Sequence, residues 1–292
     1  MRSLLFVPGD SERKLAKGST SGADVVIVDL EDSVAAASKP AARALAQGFI
    51  ANLQRGQGPK IYVRVNDLST GLTDEDLAVV VKARPDGIML PKCNSAADVV
   101  QLAAMLRVHE AENGLDDGAT EIVGIMTETP IGVLSASTYR VSCPRLAGLT
   151  WGAEDLSAAI GAMATREGNG RYTDVFRLAR TLTILAASAV EVAAIDTVFV
   201  NFRDSEGLRL ECAEAARDGF TGKLAIHPDQ VPLINEAFTP SGDAIEQAKA
   251  IVRAFAEAGN PGVVGLGGQM YDRPHLRRAE RLLARAATAG ML

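Results

Sequence analysis

Cysteine is scarce: Cys93, Cys143 and Cys212 lie far apart, and none sits near a histidine cluster. That spacing supplies neither a disulfide framework nor a zinc site, and it fits a reducing compartment, so a cytoplasmic protein is expected. Basic charge is short as well. Lys and Arg total 30 against 36 Asp and Glu, a formal net charge of -6. No surplus of cations remains to displace counterions from a phosphate backbone, which speaks against nucleic acid as a partner. Long apolar runs are missing: no stretch of about 18 apolar residues marks a membrane span. The N-terminus opens directly on the apolar pattern 3–7, followed by Pro8-Gly9, and lacks the apolar core of a signal peptide. No G-x-G-x-x-G follows the first apolar run, which weighs against a dinucleotide-binding open sheet. None of His109, His227 and His275 falls into a recognisable triad with Ser or Cys, so nucleophilic catalysis has little support.

What is present is apolar and regular. Hydrophobic residues make up 47% of the 292 and charged residues 23%, enough to bury one large interior. Short β-branched runs at 4–7, 25–30, 61–65, 87–90, 122–127, 146–150, 195–200 and 223–226 read as strands. Helical patterns at 11–17, 40–48, 74–83, 96–112, 131–139, 173–189, 205–218 and 229–238 separate or follow them. Eight strands alternating with eight helices predict a (β/α)8 barrel over 1–240. A doubly wound open sheet stays as the alternative, because strand count alone does not prove closure. Beyond the barrel, 241–292 reads as a C-terminal helical extension, with helices at 244–259 and 273–287 around the glycine-rich 262–268. The extension is too short for a domain and either caps its own barrel or reaches a neighbouring subunit. Gly265-Leu-Gly-Gly268 follows no clear strand, so a flexible hinge is expected rather than a phosphate cradle.

Barrel enzymes carry their chemistry on the C-terminal ends of the strands. Polar residues stand there in Asp29-Leu-Glu-Asp32, Arg64, Pro91-Lys92, Thr127-Glu-Thr-Pro130, Trp151-Gly-Ala-Glu-Asp155 and His227-Pro228. Glu128 and Asp155 end consecutive strands, which lie about 4.8 Å apart in a parallel sheet, so the two carboxylates could converge. Like charges that close share a proton or bind a cation. Oxygen ligands alone suit Mg²⁺ rather than zinc. The competing explanation is that Asp155 caps the following helix and Glu128 is solvated. Arg64 lies inside an apolar strand, where an unpaired guanidinium is costly, so it needs an anion. That anion is either a carboxylate such as Glu31 or Glu128, or a substrate oxygen. Asp29 and Glu31 share one strand face; Asp32 or Ser33 could cap the next helix, and Glu31 could order metal-bound waters or hold Arg64. Lys92 could bind an anion or be solvated.

Taken in order, Arg2-Ser-Leu-Leu-Phe-Val-Pro-Gly9, Asp29-Leu-Glu-Asp-Ser-Val34, Arg64-Val-Asn66, Leu90-Pro-Lys92, Glu128-Thr-Pro130, Gly152-Ala-Glu-Asp-Leu156, Gly219-Phe-Thr-Gly-Lys223 and Ile226-His-Pro228 form a set. The set resembles the citrate lyase beta-subunit-like and malyl-CoA lyase family of the HpcH/HpaI aldolase superfamily, almost end to end. The resemblance implies a Mg²⁺ site with Glu128 and Asp155 as ligands, and substrate contacts from Arg64, Glu128, Glu31, Asp32 and Lys92. Met270-Tyr-Asp-Arg-Pro-His275 looks like the family's C-terminal segment, which implies that Asp272 is the acid/base delivered to an adjacent subunit, with Arg64 as the other catalytic group. The implied protein is a homo-oligomer, trimer or hexamer. Its implied reaction is reversible cleavage of a 3-hydroxyacyl-CoA, such as malyl-CoA or citramalyl-CoA, into an acyl-CoA and a 2-oxo acid. A citrate lyase beta subunit, a malyl-CoA thioesterase and a non-catalytic metabolite-binding barrel are the alternatives.

Overall fold

A computed structural model describes residues 1–54, 56–140 and 143–292. The strands are β1 (Ser3–Pro8), β2 (Val25–Asp29), β3 (Lys60–Arg64), β4 (Gly87–Leu90), β5 (Glu121–Ile125), β6 (Leu146–Thr150), β7 (Ala193–Asp196) and β8 (Gly222–Ala225). All pair in parallel with their sequence neighbours. Pairing of Leu4 with Leu224 and Leu5 with Ala225 then joins β1 to β8 and closes the barrel. An open sheet is thereby excluded.

The helices between and after these strands are α1 (Glu12–Ser19), α2 (Lys39–Ala51), α3 (Thr73–Val80), α4 (Ala96–Glu112), α5 (Pro130–Leu134), α6 (Ala153–Ile160), α7 (Asp174–Ala189), α8 (Ser205–Asp218) and α9 (Val231–Phe238). Each strand is covered on one side by the barrel interior and on the other by helices, which is why β2 is apolar from Val25 to Val28 and has every residue buried, Asp29 included. Alternation sends Leu4, Ile27, Tyr62, Met89, Val123 and Leu224 into one interior cluster. The floor of the C-terminal mouth is the top of that cluster.

The chain divides into two compact units, Met1–Asn235 and Glu236–Leu292; the sequence pattern had put the change at 240/241. The second unit holds α10 (Gly242–Glu257), β9 (Val263–Leu266), β10 (Gln269–Asp272) and α11 (Arg273–Thr288). Its small core is built from Ala248, Ile251, Phe255, Val264, Leu276 and Ala279. The glycine-rich stretch is not a hinge. Strands β9 and β10 pair antiparallel around Gly267 and Gly268, whose φ angles of 59° and 78° are the two left-handed positions of a tight hairpin turn. The glycines are spent on backbone conformation, and the apolar residues around them on a two-stranded ribbon. Among the described residues, no helix is long and apolar enough to cross a membrane.

Candidate active site

Parallel strands bring their C-terminal ends to one rim, so residues distant in sequence meet there. Asp29 ends β2 and Arg64 ends β3, side by side in register. The Arg64 fork closes on Asp29, with Nε to Oδ1 and Nη2 to Oδ2 each 2.7 Å, while Nη1 lies 2.8 Å from Glu31 Oε2. The Phe6 ring lies under the guanidinium, 4.8 Å from its carbon. Arg64 thus has the anionic partner its burial demands. Glu31 is one of the two carboxylates expected, but the main partner is Asp29, on the same strand face as Glu31. Two-residue parity with Glu31 and adjacency of β2 to β3 were the signals that could have found it.

Burial alone would raise the Asp29 carboxyl, yet hydrogen bonds and charge from Arg64 hold it below the ordinary value. Glu31 goes the other way: burial outweighs Arg64 and Lys92, and its carboxyl is raised. Asp29 also accepts the backbone N–H groups of Glu31 at 2.9 Å and Ser33 at 3.2 Å, so it shapes the loop after β2. Neither Asp32 nor Ser33 caps a helix: Ala35 precedes the short 3-10 turn Ala36–Ser38 and Ser38 precedes α2, neither with a side-chain capping bond. Asp32 is exposed, with Oδ2 3.7 Å from Lys92 Nζ. Replacing Asp29 by asparagine puts an N–H donor against the Arg64 fork. The expected loss is about 3 kcal/mol of stability and about 100-fold in kcat. Full kcat in a folded Asp29→Asn variant would show that Arg64 does not need this anchor.

Lys92, just past β4, is one of the few non-glycine residues with left-handed backbone, φ 47°. In that conformation its N–H donates to Glu128 Oε2, and its ammonium bonds Glu31 and lies 3.6 Å from Asp155 Oδ1. It is therefore not merely solvated. Burial would lower its pKa, but the Glu31 bond and the charges of Glu31, Glu128 and Asp155 raise it.

Glu128, three residues past β5, is buried rather than solvated. Burial first, then the charge of Asp155, pushes its carboxyl up to about 8. Asp155 is the third residue of α6; the N-cap is Gly152, which has no side chain to bond, so the capping explanation of Asp155 falls. Gly152 has an ordinary extended backbone, φ -121° and ψ 116°. A Cβ there would come within 2.6 Å of Glu128 Cγ. Close approach, not conformational freedom, is what this glycine provides. Gly152→Ala is expected to displace Glu128, cutting turnover by about 100-fold with little change in Tm; a Mg²⁺ titration that matches the parent would refute this.

A cavity of about 420 Å³ opens at this rim, lined by Phe6, Arg64, Glu128, Trp151, Asp155 and Leu224 among others. A smaller one, about 240 Å³, lies by Arg84, Asp86 and Thr120 at the opposite ends of the strands, where a barrel carries stability rather than chemistry. Around the larger cavity, among the described residues, six carboxylates, Asp29, Glu31, Asp32, Glu128, Glu154 and Asp155, accompany two cations, Arg64 and Lys92. The ammonium of Lys39 is taken up by the Leu30 and Glu31 carbonyls and Asn66 Oδ1. The excess of negative charge at Glu128 is what a cation would relieve. Among the described residues, no group of three or more His, Cys, Asp or Glu side chains converges on one point. Two carboxylates with water and substrate oxygens completing the shell is the arrangement Mg²⁺ accepts, so the residues fit that ion.

Asp272 belongs to the second unit, where it is the N-cap of α11. Its Oδ1 accepts the His275 N–H at 3.4 Å and lies 2.5 Å from His275 Nδ1. The His275 bond holds this carboxyl below its ordinary value.

A closed barrel with carboxylates and an anchored arginine converging at its C-terminal rim is an enzyme framework. The chain belongs to the HpcH/HpaI aldolase/citrate lyase family, whose model matches residues 2–228. It is 32% identical to the mitochondrial citramalyl-CoA lyase of Homo sapiens, over 98% of this chain and 86% of that one. It is 34% identical to the (3S)-malyl-CoA thioesterase of Cereibacter sphaeroides, over 98% and 94%. The Mycobacterium tuberculosis protein CitE, solved with magnesium, acetoacetate and coenzyme A, superposes with a TM-score of 0.76 at 35% identity, covering 98% of both chains.

Proposed function

We propose that the chain is a Mg²⁺-dependent carbon–carbon lyase that cleaves, or forms, a 3-hydroxyacyl-CoA such as malyl-CoA or citramalyl-CoA, giving an acyl-CoA and a 2-oxo acid. The observation that carries this reading is the buried Glu128 carboxylate under the charge of Asp155, beside the anchored Arg64, in the rim cavity. Glu128 and Asp155 would hold Mg²⁺, which when bound polarises the carbonyl of the 2-oxo acid and fixes its orientation.

The chain's own groups do the rest. Arg64 cannot turn away from the cavity, because Asp29 holds its fork and Phe6 its face. Its cationic edge would stabilise oxygen charge as the thioester enolate develops. Lys92, bonded to Glu31 and close to Asp32 and Asp155, would steady the carboxylates and meet an incoming anion. The α-proton of the acyl-CoA would be exchanged by Asp272 from a neighbouring subunit, since the extension that carries it forms a unit of its own. This assignment makes the active protein a homo-oligomer, trimer or hexamer. The three free cysteines suit a reducing compartment, and we place the protein in the cytoplasm.

A coupled assay with malyl-CoA and citramalyl-CoA tests the reading. Glyoxylate or pyruvate should appear together with an acyl-CoA, and EDTA should stop the reaction. The Cereibacter relative supports thioester hydrolysis as a second reading; free CoA and a hydroxy acid in place of the 2-oxo acid would establish it. Undiminished turnover in EDTA would remove the metal from either scheme.

A further inference from the structure

A buried circuit of polar contacts lies in the barrel wall beside the cavity. Its centre is Lys223, fully buried on β8. Leu224 faces the barrel interior, so alternation sends Lys223 outward toward the helices. Its Nζ donates to Asp196 Oδ2 at the end of β7, 2.8 Å, and to Glu211 Oε1 on α8, 2.7 Å. The other Asp196 oxygen accepts the indole N–H of Trp151 at 2.8 Å. The other Glu211 oxygen accepts from Arg166 Nη2 at 2.6 Å. The Arg166 guanidinium lies 3.8 Å from the Tyr172 ring centre, and Tyr172 meets Trp151 edge-on at 5.0 Å. The circuit begins and ends at Trp151.

Stability alone does not call for such an arrangement, because well-packed apolar residues of similar volume usually serve a wall as well as a buried ion pair. Position is what it adds. Trp151 is followed at once by Gly152, whose missing side chain makes room for Glu128, and by Asp155, whose charge acts on Glu128. We infer that Lys223 and Asp196 are positioning residues that hold the indole of Trp151, and through it set the Gly152–Asp155 segment against Glu128. The inference rests on the metal reading of Glu128 and Asp155.

Mn²⁺ binding, followed by electron paramagnetic resonance without any substrate, is the test. Trp151→Phe keeps a ring against Tyr172 and removes the N–H donor together with three ring atoms of a fully buried side chain, whereas Lys223→Met removes the cation. Each should weaken Mn²⁺ by about 10-fold, and the double variant should be no weaker than the worse single, because both act along one path. Arg145→Met is the control: it breaks another buried pair, with Glu110, next to the start of β6. It should lower Tm while leaving Mn²⁺ affinity at the parent value. Should Lys223→Met fail to fold, Trp151→Phe decides alone. A folded Trp151→Phe that binds Mn²⁺ as tightly as the parent overturns the positioning role and leaves the metal site standing. A parent that binds no Mn²⁺ overturns both.

Discussion

Replacing Glu128 by glutamine is expected to abolish tight Mg²⁺ binding and to lower turnover by about 1000-fold, the several kcal/mol that a bound Lewis acid contributes. The substitution keeps the volume, removes the charge and turns one acceptor oxygen into an N–H donor, so packing against Gly152 is retained. It should also erase a pH dependence. In the metal-free fold, burial first and then Asp155 push the Glu128 carboxyl up to about 8 from an ordinary 4.5. A raised folded value means that, between these two limits, the folded chain holds a proton the unfolded chain has released. Stability of the metal-free protein from this group is therefore fullest at the acid end of the window and falls as pH rises through it. Mg²⁺ takes the place of that proton, so its affinity should climb by about tenfold per pH unit below about 8 and then level off. Thermal unfolding in EDTA and in Mg²⁺, at about pH 6 and about pH 8.5, reads both trends. A melting temperature indifferent to Mg²⁺ at every pH would rule out the assignment.

Asp272→Ala is expected to slow α-proton exchange on the acyl-CoA by about 1000-fold, within the range of a single general acid/base, while Mg²⁺ and 2-oxo acid binding stay at parent levels. Mixing separates delivery to a neighbour from action within one chain. Asp272→Ala and Glu128→Gln subunits are each inactive alone. If Asp272 serves an adjacent barrel, an evenly mixed oligomer contains sites with an intact Glu128 from one variant and an intact Asp272 from the other. Roughly a quarter of the sites should then recover activity, the product of two equal chances. Recovery absent from verified mixed oligomers would confine Asp272 to its own chain, and unchanged exchange in Asp272→Ala would deprive it of any role.

The eight strands were legible because a strand buried on both faces is apolar along most of its length, and these short β-branched runs alternate with longer helical patterns. The meeting of Glu128, Asp155, Arg64, Glu31 and Lys92 followed from a single rule, that parallel strands end at one rim. What the sequence hid was pairing across elements. Asp29 and Glu31 share a strand face, and nothing in their spacing says which of them the Arg64 fork would choose; that depends on the register of β2 against β3. Lys223 was harder still. A lysine opening a short strand reads as solvated, and its partners Asp196 and Glu211 come from separate elements, so its burial has no local signature. The glycines at 267 and 268 misled for a related reason: glycine marks unusual backbone, but only pairing of the flanking residues tells a hairpin from a hinge.

Trp151 is the chain's one tryptophan, and it lines the rim cavity with its N–H on a buried carboxylate and a tyrosine ring at its edge. Its light emission is thus an unlabelled optical probe of a single place in the molecule. Excitation collected by Tyr172 can pass to the indole over so short a gap. Any ion or oxo acid that settles beside the ring should alter the colour or intensity of the signal, with no background from other indoles. The fold has placed its only strong natural fluorophore where occupancy can be watched as it happens.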